Sequence, residues 1–181
     1  KGSASANDTI IAGTDAAFVL EGAKYMNFED LFIYTPNNSS FRLNGSSDIS
    51  ITGNTIMSNT TSTSSVINAI IASASATSAF STTAGEQNIT IENNDIMGGY
   101  YGIRFYGSMA ARNGDIVISG NTMTDQYYYG IYVYYGDNVE ISDNELSGFR
   151  SNFAYGVYPY QVNGCQITGN HISDLYYGIY G

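Results

Sequence analysis

The residues best placed to touch another molecule are tyrosines that keep returning in one setting. The chain has 17 of them. Many fall in a phrase that reads Tyr101-Gly102-Ile103-Arg104-Phe105-Tyr106-Gly107, then Tyr129-Gly130-Ile131-Tyr132-Val133-Tyr134. Later copies are Tyr155-Gly156-Val157-Tyr158-Pro159-Tyr160 and Tyr177-Gly178-Ile179-Tyr180-Gly181, with degenerate ones at Ala17-Phe18-Val19-Leu20 and Ser40-Phe41-Arg42-Leu43. In a strand, alternate residues share a face. With the Ile/Phe positions inward, one outward slot reads Val19, Arg42, Arg104, Tyr132, Tyr158 and Tyr180, and the next Glu21, Asn44, Tyr106, Tyr134 and Tyr160. Arg104 would then stack on Tyr132. Such a face suits three uses. It can be a platform for sugar rings or another flat, polar-edged ligand, since an aromatic ring stacks and a phenol adds a hydroxyl. It can meet a neighbouring subunit, because a contiguous aromatic patch is uncommon on an idle monomer. Or it reflects only the preference of Tyr for strands.

Other chemistry is sparse. The acidic residues are scattered. Asp48 and Asp115 occupy equivalent positions with Asn88 and Asn138 and read as turn residues. Glu92 and Glu140 fall two repeats apart, too far for a retaining carboxylate pair and at the limit for an inverting one. The single histidine, His171, is expected at the surface, and alone it is a poor metal site. The single cysteine, Cys165, can form no intrachain disulfide and occupies an apolar slot, as a buried thiol does. No cofactor is expected: the net charge of −10 permits Ca²⁺ at the bends, but no Asp-x-Asp-x-Asp loop supports it. No phosphate-binding loop precedes a helix.

The elements that must position the tyrosines come from a second phrase. It reads Asp48-Ile49-Ser50-Ile51-Thr52-Gly53-Asn54-Thr55-Ile56, and returns at Asn88–Ile96, Asp115–Met123, Asn138–Leu146 and Gly164–Ile172. Each copy has apolar residues at i and i+2, so both point to one side of a strand. Then comes a residue that tolerates a left-handed backbone (Gly53, Asn93, Gly120, Asp143, Gly169), and then always Asn. These asparagines, Asn54, Asn94, Asn121, Asn144 and Asn170, are 40, 27, 23 and 26 residues apart. Self-similarity at such a period is the mark of a solenoid, and stacked Asn side chains can bond one another as a ladder. The expected fold is all-β: one single-stranded right-handed parallel β-helix of about seven rungs, each of roughly 23 residues. The interval of 40 holds an uncharged Ser/Thr/Ala stretch at 59–84, expected as an insertion with a strand near Val66–Ala72, against a competing short helix over Ser65–Phe80.

From Phe18 to Gly181 the five Asn-bend phrases resemble the right-handed parallel β-helix repeat proteins of the pectin-lyase-like superfamily, including the NosD-like periplasmic members. That superfamily hosts lyases, hydrolases, epimerases, adhesins and spacers, so the resemblance implies architecture more than activity. Its enzymes cluster Asp residues with Arg or Lys on one face, a set this sequence does not assemble.

Only 12% of residues are charged, and stacked like residues favour that because like charges on neighbouring rungs repel. The negative charge argues against nucleic acid, and no 18-residue apolar run supports membrane insertion. Six Asn-x-Ser/Thr sites, at Asn7, Asn37, Asn38, Asn44, Asn59 and Asn88, permit an extracellular or cell-surface location. The expectation is one domain over 1–181, a fragment of or repeating unit in a larger assembly. Its expected function is a non-catalytic extracellular structural module whose tyrosine face self-associates or meets another protein. A carbohydrate-binding module is the alternative, and a polysaccharide-degrading or epimerising enzyme a second alternative.

Overall fold

Two left-handed bends per coil turn the chain back onto itself. A computed structural model describes residues 9–181. One bend lies at the residue that opens the Ile-x-Ile phrase: Asp48, Asn88, Asp115, Asn138 and Gly164 all have φ between 52° and 65°. The other lies just before the ladder asparagine, at Asp30, Gly53, Asn93, Gly120, Asp143 and Gly169, with φ between 55° and 67°. Gly, Asn and Asp enter this region at least cost. The turn residues read from the sequence are therefore what shape each coil.

Between the bends the chain is extended, and strands one coil apart pair in parallel. One face is a seven-stranded sheet running from Thr9–Ile11 through Thr55–Ser58 to His171–Ile172. Corresponding residues on it lie 23, 40, 27, 23 and 26 apart from Phe32 to His171. The other two faces carry the Ile-x-Ile phrase and the tyrosine phrase. They join into one sheet because Tyr129–Ser142 and Tyr155–Thr168 run across the corner without a break. No helix occurs among the described residues. The solenoid expected from the repeats is the fold.

The interior is a set of aligned columns. Ile49, Ile89, Ile116 and Val139 stack in register, as do Ile51, Ile91, Ile118 and Ile141, and all are buried. Each such side chain contributes roughly 1.5–3 kcal/mol of burial. Facing them, Leu43, Ala72, Phe105 and Val133 alternate in size along their column, so the large ring of Phe105 fits beside a methyl. The first coils are filled by Phe18, Phe28 and Phe41, whose ring centroids lie 4.7–5.1 Å apart.

The ladder runs the length of the fold. Asn54 donates through its backbone N–H and its Nδ2 to Asn94 Oδ1, both at 2.9 Å. The same pair of bonds links Asn94 to Asn121, Asn121 to Asn144, and Asn144 to Asn170. Each amide also donates to a backbone carbonyl, such as Ile91 O from Asn121 at 2.9 Å. At the worn first coil, Leu31 offers only its N–H, which bonds Asn54 Oδ1 at 3.0 Å.

The 40-residue interval is itself a coil. Its strand, Ile70–Ala72, lies between Phe41–Asn44 and Tyr101–Tyr106 with Ile71 in the same slot as Arg42 and Arg104. No helix forms over 65–80. Residues 73–86 then return across the outside of the tyrosine face before the next Ile-x-Ile strand begins at Gln87.

Candidate functional site: the tyrosine face and its covered end

The Tyr-Gly pair that opens each tyrosine phrase makes a corner. Gly102 faces inward: a Cβ there would meet Gly130 O at 2.8 Å and Met123 Sδ at 3.1 Å. Gly130 is confined in the same way by Gly156 O at 2.7 Å. With both Gly102 and Ile103 turned to the core, the preceding tyrosine swings out. Tyr101, Tyr129, Tyr155 and Tyr177 thus form an external column, with centroids 4.8–5.2 Å apart and planes within 24°. Strict alternation puts these four inside with Ile103, so the outward slots missed them. The glycine that follows each tyrosine was the signal.

The slots read from the sequence form two more columns. Tyr106, Tyr134 and Tyr160 stack at 4.7 and 5.1 Å with planes 13° and 17° apart. Tyr132, Tyr158 and Tyr180 meet edge to face at 5.1 and 5.2 Å. The columns also touch sideways, Tyr129 to Tyr132 at 5.3 Å and Tyr155 to Tyr158 at 5.7 Å. Crowding shows in the phenols. Burial pushes the Tyr101 hydroxyl up to about 12, with neighbouring Tyr100 and Tyr106 adding to it and Arg104 opposing, and it raises Tyr129 and Tyr132 further. Tyr160 and Tyr180, at 39% and 44%, are the open end.

Arg104 departs from the expected exposed platform. It occupies its slot beside Tyr132, with the guanidinium 5.4 Å from that ring, yet it is completely buried. The reason is the returning segment. Ala79 and Phe80 lie over the start of the face: Ala79 packs with Ile71 and Tyr101 in a small apolar cluster outside the main core, and Phe80 sits 4.7 Å above the guanidinium. Thr83 N–H bonds Tyr106 O at 3.1 Å and ties the segment down. The leading part of the interval is held too, since Arg150 reaches 2.8 Å to Ser62 O.

Glu92 and Glu140 do not make a catalytic acid pair. Glu92 aligns with Ser119 and Glu140 with Val117, so the two are offset along the strand as well as across rungs. Each accepts a hydroxyl bond, from Ser119 at 2.9 Å and from Ser142 at 3.0 Å. The turn carboxylates are engaged as well: Asn88 donates to Asp48 at 2.7 Å, Asn138 to Asp115 at 3.1 Å, and Asn163 to Asp137 at 2.7 Å. His171 is exposed and lies beside Glu145 in register, and Cys165 is half-buried against the core, where burial raises its thiol pKa.

Residues 60–181 match the family described as periplasmic copper-binding protein (NosD). The chain belongs to the NosD family. Comparison with curated proteins and comparison with solved structures each yield no match. The NosD description names copper, so the donors present are worth testing against it. Copper sites gather imidazole, thiolate or thioether ligands at one point. Among the described residues no three His, Cys, Asp or Glu side chains converge. The thioethers of Met57 and Met97 are register neighbours beside a groove of about 240 Å³, but two thioethers without a third donor do not make a centre. The donors among the described residues do not fit copper. Among the described residues, no helix is long and apolar enough to cross a membrane.

Proposed function

We propose that this NosD-family chain is a non-catalytic β-solenoid module that works outside the cytoplasm and assembles with a second copy of itself through its tyrosine face. The observation that carries the reading is how the rings meet. In two of the three columns each ring is stacked on its neighbours along the solenoid, so ring faces are consumed within the chain. What remains outward is a lattice of ring edges and hydroxyls at the spacing of the strands, about 4.8 Å. A partner that matches such a surface row for row has the same pitch, and a second copy has it by construction. Tyrosine suits an interface because it brings area at little entropic cost and a hydroxyl for the rim. The family description, which names the periplasm, supports the location.

Light scattering tests this. The expected result is a mass well above the 19.5 kDa of one chain, returning to that mass for the double variant Tyr158→Ala, Tyr180→Ala. A single species of monomer mass at every concentration overturns it, as does an assembly that ignores the double variant. A polysaccharide ligand keeps one support: Tyr132, Tyr158 and Tyr180 meet edge to face, so not every ring face is taken. That reading expects polysaccharide to quench tyrosine fluorescence, and a blank glycan panel removes it.

A further inference from the structure

Arg104 is the largest fully buried side chain among the described residues, and its Nε, Nη1 and Nη2 make no hydrogen bond of proper geometry, although the Tyr101 hydroxyl lies near enough to interact with it. A guanidinium carries five N–H donors and is charged at any ordinary pH. Here it is enclosed by rings: Tyr106 at 4.2 Å, Phe80 at 4.7 Å, Tyr101 at 4.9 Å and Tyr132 at 5.4 Å from the guanidinium carbon to the centroids. Ring faces attract the cation but do not satisfy its donors. The other arginines of this surface are different. Arg112 bonds Asp137 at 2.8 Å and Gly136 O at 2.6 Å, and Arg150 bonds Asp125 O at 2.8 Å; each has one ring near it, at 5.5 Å. Arg42 is paired with Glu21 at 3.1 Å.

One wall of the box is unlike the rest. Tyr101, Tyr106 and Tyr132 stand on strands, whereas Phe80 belongs to 73–86, which has no strand, and is itself 56% exposed. Its ring meets Tyr106 edge to face at 6.1 Å and otherwise serves as a cover. So an aromatic ring occupies the place above an unsatisfied cation, gives it a ring face, and leaves its donors without a well-formed bond. A ligand with both a ring and a carboxylate would do what Phe80 does and also fill the donors, since a carboxylate meets a guanidinium with two parallel bonds.

We infer that the Arg104 box is a binding site for a small ring-bearing monocarboxylate that enters by displacing the Phe80 ring. One cation at the end of a closed box calls for one anionic group, and the chain's net charge of −10 repels polyanions. The aromatic walls call for a ring behind that group. The site uses neither Tyr158 nor Tyr180, so it stands or falls apart from self-association through the open end of the face.

Calorimetric titration of the whole chain with benzoate, acetate and benzyl alcohol tests the assignment. Benzoate binds, while acetate (no ring) and benzyl alcohol (no charge) bind at least about tenfold more weakly. Phe80→Ala removes the cover and tightens benzoate by about tenfold or more, and Arg104→Met abolishes binding while circular dichroism stays that of the folded solenoid. Binding of benzoate no tighter than acetate to folded Phe80→Ala overturns the proposal, and so does benzoate binding retained by Arg104→Met. If Phe80→Ala fails to fold, the Arg104 side-chain ¹⁵Nε resonance of the unaltered chain decides: a benzoate-dependent shift supports the site, and a resonance unmoved at saturating benzoate rejects it.

Discussion

Asn121→Ala is the sharpest test of what holds the coils together. Asn121 is 1% exposed and sits mid-ladder. Its Oδ1 accepts from the Asn94 N–H at 3.0 Å and from Asn94 Nδ2 at 2.9 Å, and its own Nδ2 donates to Ile91 O and to Asn144 Oδ1, each at 2.9 Å. Alanine removes all of these. The Asn94 amide Nδ2 keeps Ile51 O, and Asn144 Oδ1 keeps the Asn121 N–H, so both retain a partner. The Asn94 N–H loses its acceptor in the buried ladder, while Ile91 O and Ser119 O lose an amide donor but stay within the paired sheet. Leaving a buried polar group unmet costs about 1–3 kcal/mol. One such group, together with the amide bonds lost to Asn144, Ile91 O and Ser119 O, gives a loss of about 2–5 kcal/mol, a large part of the roughly 5–15 kcal/mol that a domain of this kind possesses. Asn170 makes the same kind of bonds, to Asn144, Ile141 O and Thr168 O, but it is half-buried at the far coil. Water can replace its partners, so Asn170→Ala should cost about 1 kcal/mol or less. Guanidinium unfolding followed by far-UV circular dichroism measures both. Because stacked coils can unfold in parts, hydrogen exchange at the Asn94 N–H should accompany it and accelerate sharply in Asn121→Ala. Equal losses at the two positions, or a loss below about 1 kcal/mol at Asn121, would refute the ladder as the source of the stability.

Further outcomes follow from the same geometry. Arg104→Met should raise the unfolding midpoint, because an unpaired buried charge costs several kcal/mol and cation–π contacts return about 2; a lower midpoint would mean that the aromatic box outweighs the desolvation. Glu86 is buried and accepts from the Gly45 and Ser46 N–H groups at 2.8 Å each, and burial raises its carboxyl pKa against those bonds. A raised carboxylate contributes most below the ordinary range and loses that share as pH climbs through its folded value, so the advantage of the unaltered chain over Glu86→Gln should shrink as pH rises. Asp48, held low by Asn88 and Ser47, and Asp137, held low by Arg112 and Asn163, act in the opposite direction, losing their share as pH falls. Cys165 should react with a thiol reagent at neutral pH far more slowly than a free thiol, and at the free rate once unfolded, because burial both raises its pKa and limits access.

Much of the fold is written locally. The Ile pairs, the left-handed bend residues and the ladder asparagines each satisfy a requirement of one coil, and the period repeats that requirement, so reading one coil reads the others. The tyrosine face was legible in part for the same reason: Tyr132, Tyr158 and Tyr180 share a slot. Two features escaped. Alternation placed Tyr101, Tyr129, Tyr155 and Tyr177 with the core, because a corner at Gly102 and its equivalents interrupts the period of two. The covering of Arg104 has no periodic signal at all. It comes from Phe80 and Ala79, in an uncharged Ser/Thr/Ala segment whose contacts are made once and never repeated.

The disagreement between the family's copper and this chain's donors has a structural meaning. On a solenoid, neighbours in space are the residues that share a slot on successive coils, so a metal site is a column holding several suitable ligands in a row. His171 has Glu145 beneath it, Cys165 has Val139, and the Met57–Met97 pair is followed by Thr124. Each column that offers one soft ligand is broken at the next coil. The tyrosine columns are continuous over three or four coils, and so is the Asn ladder over five. Continuity is what the coil pitch converts into a surface, because a row of like groups presents one chemistry over an area. The columns that continue along the described residues of this NosD-family chain are thus those of phenols and amides, and a metal would need ligands that these columns do not bring together.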